Sequence, residues 1–172
     1  MNLTFDRPFF GTTKFLNIKQ GNYPTGKMRR WARPPKERPS SNLQYDVNIE
    51  VIGSGQTYDI TQQSFSIREG YHWDVTENNR LLTTITSAKG LKEKHRVDYH
   101  FDETITLSIE ASWSLKPEGT IFLDENEVGK TKAQGFITNR QYVIDFEPGD
   151  HHFDPNLVAG VVYAFWCSNN RG

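Results

Sequence analysis

One cysteine in 172 residues, Cys167, leaves no partner for an internal disulfide and too few thiolates for a tight structural zinc site. Long apolar runs are missing as well. The hydrophobic fraction is 35%, the mean hydropathy is -0.67, and no run approaches the roughly 18 to 20 residues that cross a bilayer. Met1 to Phe10 lacks the charged start and apolar stretch of a secretory signal. These absences predict a protein kept in the cytosol. Glycine-rich phosphate loops, nucleophile elbows and metalloprotease helices are also missing, so no catalytic residue, metal ligand or cofactor is assigned.

The chain is long enough for one domain with a real core. Its net charge of -1 conceals a split. Residues 1–41 carry nine Lys and Arg against Asp6 and Glu37, a net +7, while the rest carries 11 basic and 19 acidic side chains, a net -8. Such a division suits either a basic arm reaching for an anionic partner or an arm folded onto its own acidic body.

Three stretches follow along one domain. Residues 1–21 hold Phe5, Phe9, Phe10 and Phe15, enough apolar material for one or two strands. Residues 22–41 contain Pro24, Pro34, Pro35 and Pro39. Proline removes backbone donors and fixes φ, which argues for an extended basic segment rather than a helix or central strand. This segment reads as removable without loss of the fold. From residue 42 the pattern becomes regular. Leu43, Tyr45, Val47, Ile49 and Val51 alternate with Gln44, Asp46, Asn48 and Glu50, as expected of a half-buried antiparallel strand. Further strands are expected over 58–67, 71–75, 81–85, 96–101, 104–115, 120–123, 127–132 and 141–146. Turn residues such as Glu77-Asn78-Asn79, Lys116-Pro117-Glu118-Gly119 and Asp124-Glu125-Asn126 separate most of them. A meander of this length must close on itself or stack as two sheets.

One helix is expected, over 154–168. Asp154 suits the N-cap and Pro155 the first helical position. Leu157 to Cys167 is apolar on every side, so the helix has no face for solvent and the sheet has to surround it. A valine-rich run also fits a buried strand; the Asp-Pro start and the length favour the helix.

The C-terminal two-thirds resembles the tubby C-terminal-like superfamily, which includes the LURP-one-related proteins and the phospholipid scramblases. Gln63-Ser-Phe65-Ser-Ile67 leading into Gly70-Tyr-His-Trp-Asp-Val75 and Leu81-Leu-Thr-Thr-Ile85 is similar to that family's opening hairpin. Gly119-Thr-Ile-Phe-Leu-Asp124-Glu-Asn-Glu-Val128-Gly129 resembles a later hairpin. Tyr142-Val-Ile-Asp-Phe146 followed by Asp154-Pro-x-Leu157 resembles its closing strand and central helix. Asn78-Asn79 stands where the family has a glycine turn, and residues 1–42 match none of its pattern. The resemblance implies a mostly β fold: a closed antiparallel β-barrel of about twelve strands enclosing the hydrophobic C-terminal helix. It also implies a non-enzymatic binding module, since several members bind phosphoinositides or sit on membranes. None of the family's lipid-contacting residues can be carried over to this chain.

The candidate ligand or anion site is the basic run Lys27, Arg29, Arg30, Trp31, Arg33, Lys36 and Arg38, with six cations and one anion, Glu37. Cations neutralise phosphates, and an indole stacks on bases or seats among lipid headgroups. Anionic lipid headgroups or a protein partner are the expected partners, with a peripheral membrane location; nucleic acid is disfavoured. The competing reading pins the run on the acidic body. A second functional reading makes the chain a structural subunit of a larger assembly, its N-terminal arm wrapped round a neighbour. An enzyme with its ligand in the barrel mouth ranks third. Asp150-His151-His152-x-Asp154 offers metal-ligand types, but adjacent histidines in an extended chain point to opposite sides. Cys167 reads as an inert core thiol, because a helix C-terminus is the wrong end to lower its pKa. Asp98 and Glu110 could form a carboxylate dyad only if the fold faced them across a cleft.

Overall fold

A computed structural model describes residues 1–8, 13–38, 45–66, 68–88, 95–100, 105–111, 118–135 and 140–169. Twelve strands alternate in direction through one sheet: β1 (Asn2–Asp6), β2 (Leu16–Gln20), β3 (Tyr23–Trp31), β4 (Asn48–Ile52), β5 (Thr57–Ser66), β6 (Gly70–Glu77), β7 (Arg80–Ala88), β8 (Arg96–His100), β9 (Thr106–Ala111), β10 (Glu118–Leu123), β11 (Asn126–Gln134) and β12 (Gln141–Phe146). Each pairs antiparallel with its sequence neighbour, and β1 closes the sheet by pairing with β2 on one side and β12 on the other. Phe5 lies opposite Ile18 in one seam and Tyr142 in the other. Closure removes the unpaired edges that an open meander would expose. A 3-10 turn (Pro35–Glu37) lies between β3 and β4. The helix α1 (Pro155–Ser168) completes the chain.

The barrel wraps α1, because that is where its apolar surface can go. Every residue from Asn156 to Ser168 is buried. Inward side chains alternate along the wall, with Ile49 and Val51 on β4, Tyr58 and Ile60 on β5, Tyr71, Trp73 and Val75 on β6, and Tyr142, Ile144 and Phe146 on β12. Asp154 caps the helix as its type suggests, its carboxylate accepting from the Asn156 N–H at 2.7 Å and the Leu157 N–H at 3.2 Å. The Tyr58 hydroxyl donates to the same carboxylate at 3.1 Å, tying the cap to β5. Midway along α1, Gly160 sits under β4, where a Cβ would come within 2.6 Å of the Val51 side chain. No described helix is long and apolar enough to cross a membrane.

The mostly β class, the barrel, the twelve strands and the central helix are as the sequence and its resemblance led one to expect. Residues 22–41 differ. Their first part is not an arm but β3, a wall strand paired to β2 and to β4. Pro24 is tolerated because it sits near the start of the strand, beside the register shift between Ile18 and Lys19. Gly26 is needed for packing, since its Cβ would lie 2.5 Å from the Asn156 side-chain oxygen at the start of α1. A second difference lies in residues 45–51. The strand begins at Asn48, and Asp46 and Asn48 are as buried as Val47 and Ile49. A third is small: Glu118 and Gly119 open β10 instead of belonging to the turn before it. The expected strand residues Leu43, Gln44, Ile67, Phe101, Thr104 and 112–115 lie outside the described residues.

Candidate functional site

The basic run is divided among three environments by the pleat of β3. Met28 is buried, so Arg30 shares its inward face while Lys27, Arg29 and Trp31 turn outward. Arg30 donates to the Asp46 carbonyl at 2.9 Å and hydrogen-bonds the Cys167 thiol at the end of α1. Arg29 places its Nε 2.5 Å from a Glu50 carboxylate oxygen on the next strand. Lys27 Nζ and the Arg29 guanidinium lie 4.7 and 4.8 Å from the ring centre of Phe15, which is 39% exposed. Trp31 ends the strand half-buried, its carbonyl accepting from the Asn48 side chain at 3.4 Å. Lys36 is exposed on the 3-10 turn.

Arg33 and Arg38 converge on Asp46, whose side chain is wholly buried. The Arg33 backbone N–H donates to Asp46 Oδ2 at 2.7 Å, and its guanidinium stands 3.8 Å from Oδ1 and donates to the Gln62 carbonyl. Arg38 Nε lies 3.9 Å from Oδ2 and donates to the Arg33 carbonyl at 2.7 Å. The Asn48 amide donates to Oδ1 at 2.8 Å. Gln62 completes the knot, its side-chain oxygen accepting from the Val47 N–H at 2.7 Å and its own N–H donating to Asn48 Oδ1 at 3.0 Å. A buried carboxylate demands such partners, since an unpaired one costs several kcal/mol. Sequence reasoning missed Asp46, Asn48 and Gln62, because strict alternation places Asp46 and Asn48 on the wet face.

An aromatic ladder rises beside the knot. Tyr45 stacks on Phe65 at 4.5 Å, Phe65 meets Tyr71 at 4.6 Å, and Tyr71 stacks on Trp73 at 4.9 Å. Trp73 Nε1 donates to the Val47 carbonyl at 2.8 Å. Burial raises the Tyr71, Tyr142 and Tyr163 hydroxyl pKa values well above the usual phenol range. It also pushes the Cys167 thiol up, although Arg30 pulls it back. This thiol is therefore held as the neutral form, not as a nucleophile. The interior leaves little room for a ligand where the helix begins: the gap between Tyr99, Leu107, Phe153 and Val158 holds about 10 Å³, enough for one water.

The remaining candidates do not assemble. Asp98 accepts from Arg96 at 2.7 Å and from the Ser108 hydroxyl at 2.6 Å, so its lone pairs serve the outer wall rather than a dyad with Glu110. Among the described residues no group of three His, Cys, Asp or Glu side chains could hold a metal ion. His151 is half-buried, and His152 is exposed.

The structure thus defines a closed twelve-stranded antiparallel barrel filled by its own C-terminal helix, with its chemistry on the outer wall and at the rim. A scan of family models and searches of curated proteins and solved structures find no match to this chain.

Proposed function

We propose that this chain is a non-enzymatic, tubby-like binding module that engages anionic lipid headgroups, phosphoinositides among them, through the outer wall of β2 and β3. Its working place is then peripheral to a membrane on the cytoplasmic side. One observation carries the reading: Lys27 and Arg29 flank the exposed Phe15 ring, two cations around an apolar wedge. Cations attract an anionic surface, and an aromatic ring seats at the headgroup level. The filled interior supports recognition from outside the barrel. The barrel with its central helix is also the architecture that the tubby resemblance implies.

The assembly reading loses its premise, because residues 23–31 are spent in the barrel's own wall and Arg33 and Arg38 are tied to Asp46. The test is co-sedimentation with vesicles of phosphatidylcholine alone and with added anionic lipid. Binding is expected only to the anionic vesicles and to weaken with salt. Each basic side chain near such a surface contributes on the order of 1 kcal/mol. Lys27→Ala with Arg29→Ala should lower affinity about tenfold, since Arg29 already shares its charge with Glu50. Equal binding to neutral vesicles, or no loss in the double variant, would refute the proposal.

A further inference from the structure

We propose that the outer wall beside the β6–β7 hairpin docks a basic segment of a protein partner that carries an apolar anchor, with Leu81 and Leu82 receiving the anchor and Asp59 and Asp74 its cations. Among the described residues, the exposed large apolar side chains are Phe15, Tyr23, Leu81 and Leu82. Of these, the two leucines are neighbours in the chain, 66% and 43% exposed. A bulge in β7 puts them there. Thr76 pairs with Leu81 and Val75 with Thr83, so Leu82 is the extra residue between them. In an unbroken ladder Leu82 would lie opposite Val75, which is wholly buried, and would point inward with it. The bulge instead turns it out beside Leu81, the way bulges re-aim a side chain.

The charges around the leucines define the occupant. Leu81, Thr76, Asp59 and Glu50 lie in one row across β7, β6, β5 and β4. Asp74 shares the outward face of β6 with Thr76, since Tyr71, Trp73 and Val75 take the inner one. Glu50 is met by Arg29 at 2.5 Å, and Arg80, the nearest cation along the chain, lies opposite Glu77. Asp74 has the His72 ring 4.0 Å away, which is charged only when protonated. Asp59 enters no ion pair among the described residues, and burial and then the Glu50 carboxylate disfavour its charge, with Arg29 opposing. A Lys or Arg brought beside Asp59 offsets that cost, and an acidic segment adds to it. The closed barrel offers no free edge for strand addition, so the partner is held by its side chains. The leucines lie on β7, four strands from β3, so this contact is independent of lipid binding at the Phe15 wall.

Fluorescence anisotropy with three labelled amphipathic peptides tests this surface: lysine with leucine, lysine with serine, and glutamate with leucine. The lysine–leucine peptide is expected to bind one to one, and the other two about tenfold more weakly or not at all. Leu81→Ser with Leu82→Ser should weaken the lysine–leucine peptide about tenfold, the loss of two apolar contacts. Asp59→Asn should weaken it about threefold, the loss of one exposed ion pair, in a chain that folds at least as well as wild type. Equal binding of the lysine–serine peptide, or unchanged affinity in the leucine variant, overturns the proposal. Sedimentation equilibrium of the protein alone should show a monomer; self-association abolished by the leucine variant would give the surface to a second copy and overturn it too. So would a loss of binding to anionic vesicles in the leucine variant, which would give the surface to lipid.

Discussion

At the scale of single residues, the wall places carboxylates where their charge is costly as well as where it is useful. Asp59 faces outward on β5 beside Glu50. Burial, and then the Glu50 carboxylate, raises its pKa above the ordinary aspartate value, with Arg29 opposing. A carboxyl raised on folding prefers its proton in the folded state, so at neutral pH its charge works against the fold. That cost fades as pH falls through the raised folded value, and it is gone below the ordinary value of 3.8. Asp59→Asn is therefore expected to raise the thermal midpoint at neutral pH and to match wild type in acid. Differential scanning calorimetry at the two pH values checks this, and a neutral-pH midpoint at or below wild type would contradict it. Glu125 behaves in the opposite sense. Its hydrogen bonds from Arg96 hold its pKa below the usual carboxylate range. The backbone there is left-handed, with Asp124 and Glu125 at φ 48° and 67°. The Glu125 side chain holds a two-pronged pair with Arg96.

The residue scale is also where the sequence was least legible. Inward apolar positions such as Ile49, Ile109 and Ile144 follow from alternation alone. Burial of Asp46 and Asn48 does not, because it depends on Arg33 and Gln62 arriving from elsewhere in the chain. The cations themselves were visible, but not their assignment to wall, interior and rim. That division needs the register of β3, which is set by partners on both sides.

At the scale of elements, the outcome followed how local each signal was. Residues 141–146 form a strand with the expected bounds, and 154–168 form a capped helix, since alternation and an Asp-Pro start are properties of the segment itself. The Asn78-Asn79 turn takes φ 47° and 67°, angles that asparagine tolerates. The Asn78 side chain also accepts from the Thr57 N–H at 3.2 Å, so it fastens β5 as well as turning the hairpin. β3 departs from the expectation because prolines count against a strand only when they fall in the paired interior, and Pro24 falls near its start. Residues 22–41 are therefore not removable. Deleting 22–41 takes out a wall strand, leaving β2 paired only to β1 and β4 only to β5, with the barrel open beside the helix. The truncated chain is expected to lose cooperative unfolding and near-ultraviolet circular dichroism. A sharp transition close to that of the full chain would show that β3 is dispensable.

At the scale of the whole molecule, one requirement organises everything else. A helix with no polar side has to be enclosed, and a meander with many short strands has to close; each solves the other's problem. The interior is then occupied, and the proposed function accordingly places partners on the outside, at Phe15 with its flanking cations. The enclosure is most directly tested by backbone hydrogen exchange along α1. The amides from Val158 to Trp166 are expected to exchange only through global unfolding, with protection equal to the full stability of the fold. Exchange of those amides within minutes under native conditions would mean that the helix is not enclosed, and would contradict the account.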